Sequence, residues 1–119
     1  MAPTIIYDAQ NRPFIITGSP GGSAIINYVV KSIVAMVDWG LSPQQAAELP
    51  NFGSRNGATE LERGTALEAL KPELERRGHA VNLMEFTSGM HILGRYVTAK
   101  TSGWRGGADP RREGAVMHQ

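Results

Sequence analysis

Cysteine is absent from the 119 residues, which excludes a disulfide framework, cysteine-rich zinc sites and a thiol nucleophile. An excess of charge of one sign is also lacking, since 12 Lys and Arg stand against 11 Asp and Glu and the formal net charge is +1. So small an excess, with no basic cluster interleaved with aromatics, argues against bulk electrostatic or stacking interactions with nucleic acid. No apolar run reaches the roughly 18–20 residues needed to span a bilayer. The opening Met1-Ala2-Pro3-Thr4-Ile5 lacks a charged segment followed by an apolar core, so no signal peptide is expected in this stretch. The missing cysteine does not decide the compartment. His79, His91 and His118 share no metal-ligand spacing, and no metal site is expected. No internal repeat, linker or low-complexity tract interrupts residues 1–119, which are expected to form a single domain.

What is present is organised around Thr17-Gly18-Ser19-Pro20-Gly21-Gly22-Ser23. This stretch lies between the apolar Phe14-Ile15-Ile16 and a long periodic segment, as a strand-to-helix corner would. Upstream, Thr4-Ile5-Ile6-Tyr7 and Pro13-Phe14-Ile15-Ile16-Thr17 read as two strands joined through Asp8–Arg12 in a hairpin. Downstream, Ile26, Val29, Val30, Ile33, Val34 and Val37 recur at helical spacing. Residues 23–38 are therefore expected to form a helix buried on most sides, capped by Ser23 and ended by Trp39-Gly40. Ser42, Pro43 and Gln45 spell a capping box for a short helix that Pro50 stops. Residues 51–64 read as a loop with a short strand near Thr59–Glu62. Thr65 and Glu68 suggest a second capping box on a helix that Pro72 kinks or splits and Gly78 closes. Strands follow at 80–86, 90–99 and 102–107, the last two as a hairpin. The order predicts a layered α+β arrangement with largely antiparallel pairing. Trp39 and Trp104 are expected in packing roles, and Asp109–Arg112 as a solvated exit loop or an internal ion pair.

The corner admits three readings. It can be a plain tight turn. It can cradle a phosphate, although its spacing matches neither the dinucleotide fingerprint nor the P-loop. It can be an oxyanion hole, because the first N–H groups of a helix lack intrahelical partners and glycine permits close approach. An oxyanion hole requires a nucleophile. None of Ser19, Ser23, Ser42, Ser54, Ser88 and Ser102 sits in a Gly-x-Ser-x-Gly elbow, and no Thr stands at the chain start to use its own amine.

Several segments together resemble the C-terminal part of the small subunit of γ-glutamyltransferases (γ-glutamyltranspeptidases). They are Met1–Ile5, Thr17–Ser23, Asp38-Trp39-Gly40 with Gln44-Gln45-Ala46, Leu49-Pro50-Asn51-Phe52, Arg77–Val81, Thr87–Ile92 and Gly107–Gly114. The resemblance covers nearly the whole chain. It implies part of an N-terminal-nucleophile hydrolase fold, a four-layer αββα sandwich. It also implies a precursor that cuts itself to expose a Thr nucleophile, which accepts the γ-glutamyl group of glutathione-type amides and passes it to water or an amino acid. No metal or organic cofactor is implied, and family members are often exported. Gly21 and Gly22 match the family's oxyanion-hole glycines, with Ser19 and Pro20 shaping the turn beside the substrate. The Thr nucleophile, the residue holding the substrate amine and the Ser-Ser pair for its carboxylate have no counterpart here. The resemblance therefore implies a piece that is inactive alone and that pairs with an upstream part of the same precursor. A different expectation is a non-catalytic module that keeps the fold and self-associates or binds an upstream subunit.

Overall fold

The computed structural model of the chain describes residues 1–117, and His118 lies outside them. The elements in order are β1 (Thr4–Tyr7), β2 (Pro13–Gly18), a 3-10 turn (Gly22–Ala24), α1 (Ile25–Val37), α2 (Pro43–Glu48), β3 (Phe52–Gly53) and β4 (Thr59–Glu62). A second 3-10 segment (Ala66–Leu70), α3 (Lys71–Arg76), β5 (Val81–Met84), β6 (His91–Val97) and β7 (Ser102–Ala108) complete them. The described residues group into two compact units, residues 1–49 with 88–117 and residues 50–87.

The first unit is an antiparallel sheet in the order β1-β2-β6-β7, carrying α1 and α2. The β1–β2 hairpin forms as expected. Asp8 accepts the N–H groups of Gln10 and Arg12, and Asn11 takes a left-handed backbone at φ 59°. Ile15, Thr17 and Ile92 are buried on the helix side of the sheet. Ile5, Leu93 and Trp104 alternate onto the other side and stay exposed or half-exposed. α2 begins as expected, with Pro43 in its first turn and both halves of the Ser42–Gln45 capping box formed. It lies directly on β7, where a Cβ at Gly107 would meet the Pro43 backbone. The Gln44 side chain brackets Ala108, accepting its N–H at 3.1 Å and donating to its carbonyl at 3.1 Å.

α1 departs from the expectation in two ways. Ser23 is not its cap: the chain enters through a 3-10 turn, and no side chain caps the helix start. Its buried residues are Tyr28, Val29, Lys31, Ser32 and Ala35, whereas Ile26, Val30 and Val37 are 69%, 52% and 52% exposed. The physical reason is polar pinning and small size on the inward side. The Ser32 hydroxyl is 3.1 Å from Thr17 Oγ1 and donates to Val29 O, and Lys31 Nζ donates to Leu49 O at 2.6 Å. Ala24, Ser32 and Ala35 let the helix lie close to the sheet. Trp39, expected in packing, is 58% exposed.

The second unit holds β3-β4-β5. β3 was not anticipated from the sequence, and β4 pairs with β5 in parallel, the exception to largely antiparallel pairing. Asn51 N–H donates to Glu62 Oε2 at 2.6 Å while Glu62 N–H donates back to Asn51 O, which fixes the start of this unit. Pro72 splits the helical segment into the 3-10 turn and α3, as its missing N–H dictates. The expected Thr65–Glu68 capping box is displaced: Thr65 Oγ1 accepts from Leu67 N, and Glu68 reaches Gly64 N instead. Glu73 binds both Arg76 and Arg77, and these bonds lower its pKa.

Candidate functional site

The glycine corner is where β2 hands over to α1. Gly21 has φ 135° and ψ 24°, and Gly22 has φ 59°. Both conformations are rare for residues with a Cβ. A Cβ on Gly21 would fall 2.5 Å from Cε2 of Tyr28, whose ring is buried beneath the turn. Beside Gly22 nothing lies within 4 Å of the Cβ position, so this face of the turn is open. Among the described residues neither glycine N–H has an acceptor. Two successive N–H groups at the start of a helical segment carry the partial positive charge of that end.

Behind the glycines the turn is rigidly tied. Ser19 is fully buried. Its hydroxyl donates to the Pro20 carbonyl at 2.6 Å and accepts the Gly89 N–H at 3.0 Å. A Cβ at Gly89 would meet Pro20 Cγ at 3.0 Å and Arg112 Cδ at 2.7 Å, so this approach depends on glycine. His91, the next residue but one, stands opposite Gly18 in the β2–β6 register, which places β6 beside the corner.

Asp109 holds the segment that contains Gly89. Its Oδ2 accepts the Ser88 hydroxyl at 2.5 Å and the Met90 N–H at 3.2 Å, and Oδ1 accepts Arg111 N and a guanidinium N–H. Arg111 also donates to the carbonyls of Ala47 and Leu49 at the end of α2. Of the two expectations for Asp109–Arg112, the internal ion pair is the one observed, with Asp109 only 2% exposed. Burial pushes the Asp109 carboxyl up, but its bonds from Ser88, Arg111 and Met90 outweigh this and hold its pKa below the ordinary value.

The structure thus brings Ser19, Pro20, Gly21 and Gly22 into one turn. Sequence reasoning did not connect Ser88, Gly89 and Asp109 with them. Gly89 meets Ser19 across 70 positions, and Ser88 meets Asp109 across 21, separations that no local pattern encodes. Of the serines considered as nucleophiles, Ser19 and Ser88 are buried and engaged in these bonds, and Ser42 serves as a cap.

Residues 1–119 match the family model described as gamma-glutamyltranspeptidase. The glutathione hydrolase proenzyme of Escherichia coli (strain K12) is 38% identical over 87 residues, covering 71% of this chain and 15% of that protein. The glutathione hydrolase proenzyme of Bacillus subtilis (strain 168) is 26% identical over 118 residues, covering 98% of this chain and 20% of that protein. The chain thus spans a fifth or less of these relatives. Among solved structures, the T380A mutant of Helicobacter pylori gamma-glutamyltranspeptidase superposes with a TM-score of 0.86 at 26% identity, over 94% of this chain and 61% of that one. The cephalosporin acylase of Bacillus halodurans gives 0.77 at 25% identity, over 90% of this chain and 20% of that one. The α+β arrangement is that of part of an N-terminal-nucleophile hydrolase, with largely antiparallel sheets packed against helices.

Proposed function

Since the chain belongs to the gamma-glutamyltranspeptidase family, we propose that it supplies the oxyanion half of a γ-glutamyl-transfer site. In this reading it corresponds to the C-terminal part of the small subunit. The Gly21 and Gly22 N–H groups stabilise the tetrahedral oxyanion that forms when a nucleophile attacks a γ-glutamyl carbonyl. The observation that carries the reading is the pair of adjacent positive-φ glycines with unengaged N–H groups and open space beside Gly22. The nucleophile, and the groups that hold the substrate amine and carboxylate, come from the upstream part of a complete enzyme. The donor is a glutathione-type amide, as the names of the curated relatives suggest. No residue here generates the nucleophile, so the 119-residue chain alone does not turn over.

A chimera tests this. Residues 1–119 replace the matching stretch of the E. coli glutathione hydrolase proenzyme, and γ-glutamyl-p-nitroanilide hydrolysis is measured. The isolated chain is expected to be inactive and the chimera active. Gly22→Val keeps the backbone N–H but fills the open face of the turn and bars an oxygen from it, which lowers kcat by about 10²-fold, comparable to losing one oxyanion donor. Turnover by the isolated chain, or an unaffected Gly22→Val chimera, refutes the assignment.

The exposed apolar residues of α1 favour a second reading, an assembly module that binds an upstream polypeptide or a second copy through that face. Sedimentation of the purified chain discriminates: a monomer that also ignores the upstream polypeptide counts against it.

A further inference from the structure

An oxyanion donor is useful only if its N–H points the right way, and glycine by itself does not ensure this. The Pro20–Gly21 peptide is a planar unit in which the Pro20 carbonyl and the Gly21 N–H point in opposite directions. With glycine on one side, rotation of that unit meets little steric resistance. A flipped peptide would withdraw the Gly21 N–H and present a carbonyl oxygen to the developing anion. Whatever holds the Pro20 oxygen therefore sets the aim of the Gly21 N–H.

We propose that Ser19 is a positioning residue whose buried hydroxyl locks the Pro20–Gly21 peptide against this flip, with the Ser88–Asp109 pair as its anchor. The inference rests on reading Gly21 and Gly22 as donors. The relay is continuous in the structure. The Gly89 N–H donates to Ser19 Oγ at 3.0 Å, which leaves the hydroxyl proton for the Pro20 carbonyl at 2.6 Å. Ser19 is fully buried, so water does not compete for either bond. The Gly89 N–H is itself fixed from both sides, because the residues flanking it, Ser88 and Met90, both donate to Asp109 Oδ2. Ser19 needs to be a hydroxyl residue here, since it must accept one bond while donating another. Alanine would leave the Gly89 N–H and the Pro20 carbonyl both unmatched.

The test uses the isotope-labelled 119-residue chain in solution. In the Ser19→Ala variant, the Pro20 carbonyl ¹³C resonance shifts and the Gly21 ¹⁵N acquires microsecond–millisecond exchange. Hydrogen exchange at the Gly89 amide rises about tenfold, the effect of losing one hydrogen bond, while α1 and β6 core amides stay protected. Ser88→Ala reproduces the Gly89 and Gly21 effects with smaller amplitude. An unchanged Pro20 resonance and no new Gly21 exchange in a folded Ser19→Ala chain overturns the proposal. Should that variant not fold, the wild-type chain decides. A Ser19 hydroxyl proton protected enough to observe in cold water supports the relay, and one exchanging too fast to observe refutes it. These measurements read the turn and not turnover, so they remain decisive even if the chimera shows that Gly22 carries no oxyanion.

Discussion

A methyl group at position 21 would have to be carried at φ 135° and would strike the Tyr28 ring, whereas at position 22 it would enter open space at φ 59°. The two substitutions are thus expected to separate. Gly21→Ala should destabilise the chain by about 3 kcal/mol, combining backbone strain with overpacking. Gly22→Ala should cost about 1 kcal/mol, the penalty of the left-handed region alone. Urea denaturation of both variants measures the difference, and equal midpoints would show that Tyr28 does not hold the turn from below. The same comparison explains why Gly21 and Gly22 were legible from sequence while their supports were not. Adjacent glycines between an apolar strand and an apolar-periodic helix announce a corner. A serine or a glycine elsewhere in the chain announces nothing until folding brings it there.

Among the elements, β6 and the segment after β7 are joined through Asp109, which ties the start of β6 to the end of α2 by way of Arg111. The folded-state pKa of Asp109 lies below its unfolded value, so the unfolded chain takes up the proton first as pH falls. Its stabilising contribution is complete above about pH 4 and is lost as pH falls through the folded value. Asp109→Asn should therefore lower stability at neutral pH and flatten the decline on acidification below that range. Parallel pH profiles for the variant and the wild type would refute the linkage. Asp8, depressed to about 2 first by its bond from the Arg12 backbone N–H, titrates in both chains and leaves a residual slope. The α1 helix shows where pattern reading failed. Periodicity placed the helix within two residues at its start, but the apolar stripe is only partly inward: Val29 and Ala35 are buried, whereas Ile26, Val30 and Val37 are exposed. Close approach to a sheet favours the small Ser32 and Ala35 inward, and polar bonds hold Ser32 to Thr17 and Lys31 to Leu49. Ile26, Val30 and Val37 were left outward because nothing in residues 1–49 with 88–117 required them.

For the whole molecule, two apolar surfaces remain in the first unit, the α1 stripe and the side of the sheet bearing Ile5, Leu93 and Trp104. Contiguous exposed apolar patches are typical of interaction surfaces. If the α1 stripe mediates self-association, the Ile26→Gln/Val30→Gln variant should sediment as a monomer where the wild type sediments as a larger species. Both residues are exposed, so stability should change by no more than about 0.5 kcal/mol per site. Identical sedimentation of the two would exclude this face as the contact. The sheet raises a separate matter, because β1 and β7 are both edge strands, and unpaired edges template further pairing. At Ala108 the Gln44 amide already occupies the place that the next strand's peptide group would take, matching one donor and one acceptor. Gln44 thus acts as a stop on lateral growth: a strand added beyond β7 must end before this register or displace the side chain. The carboxyl end of β7, which leads into the Asp109 anchor, is thereby shielded from runaway β-pairing.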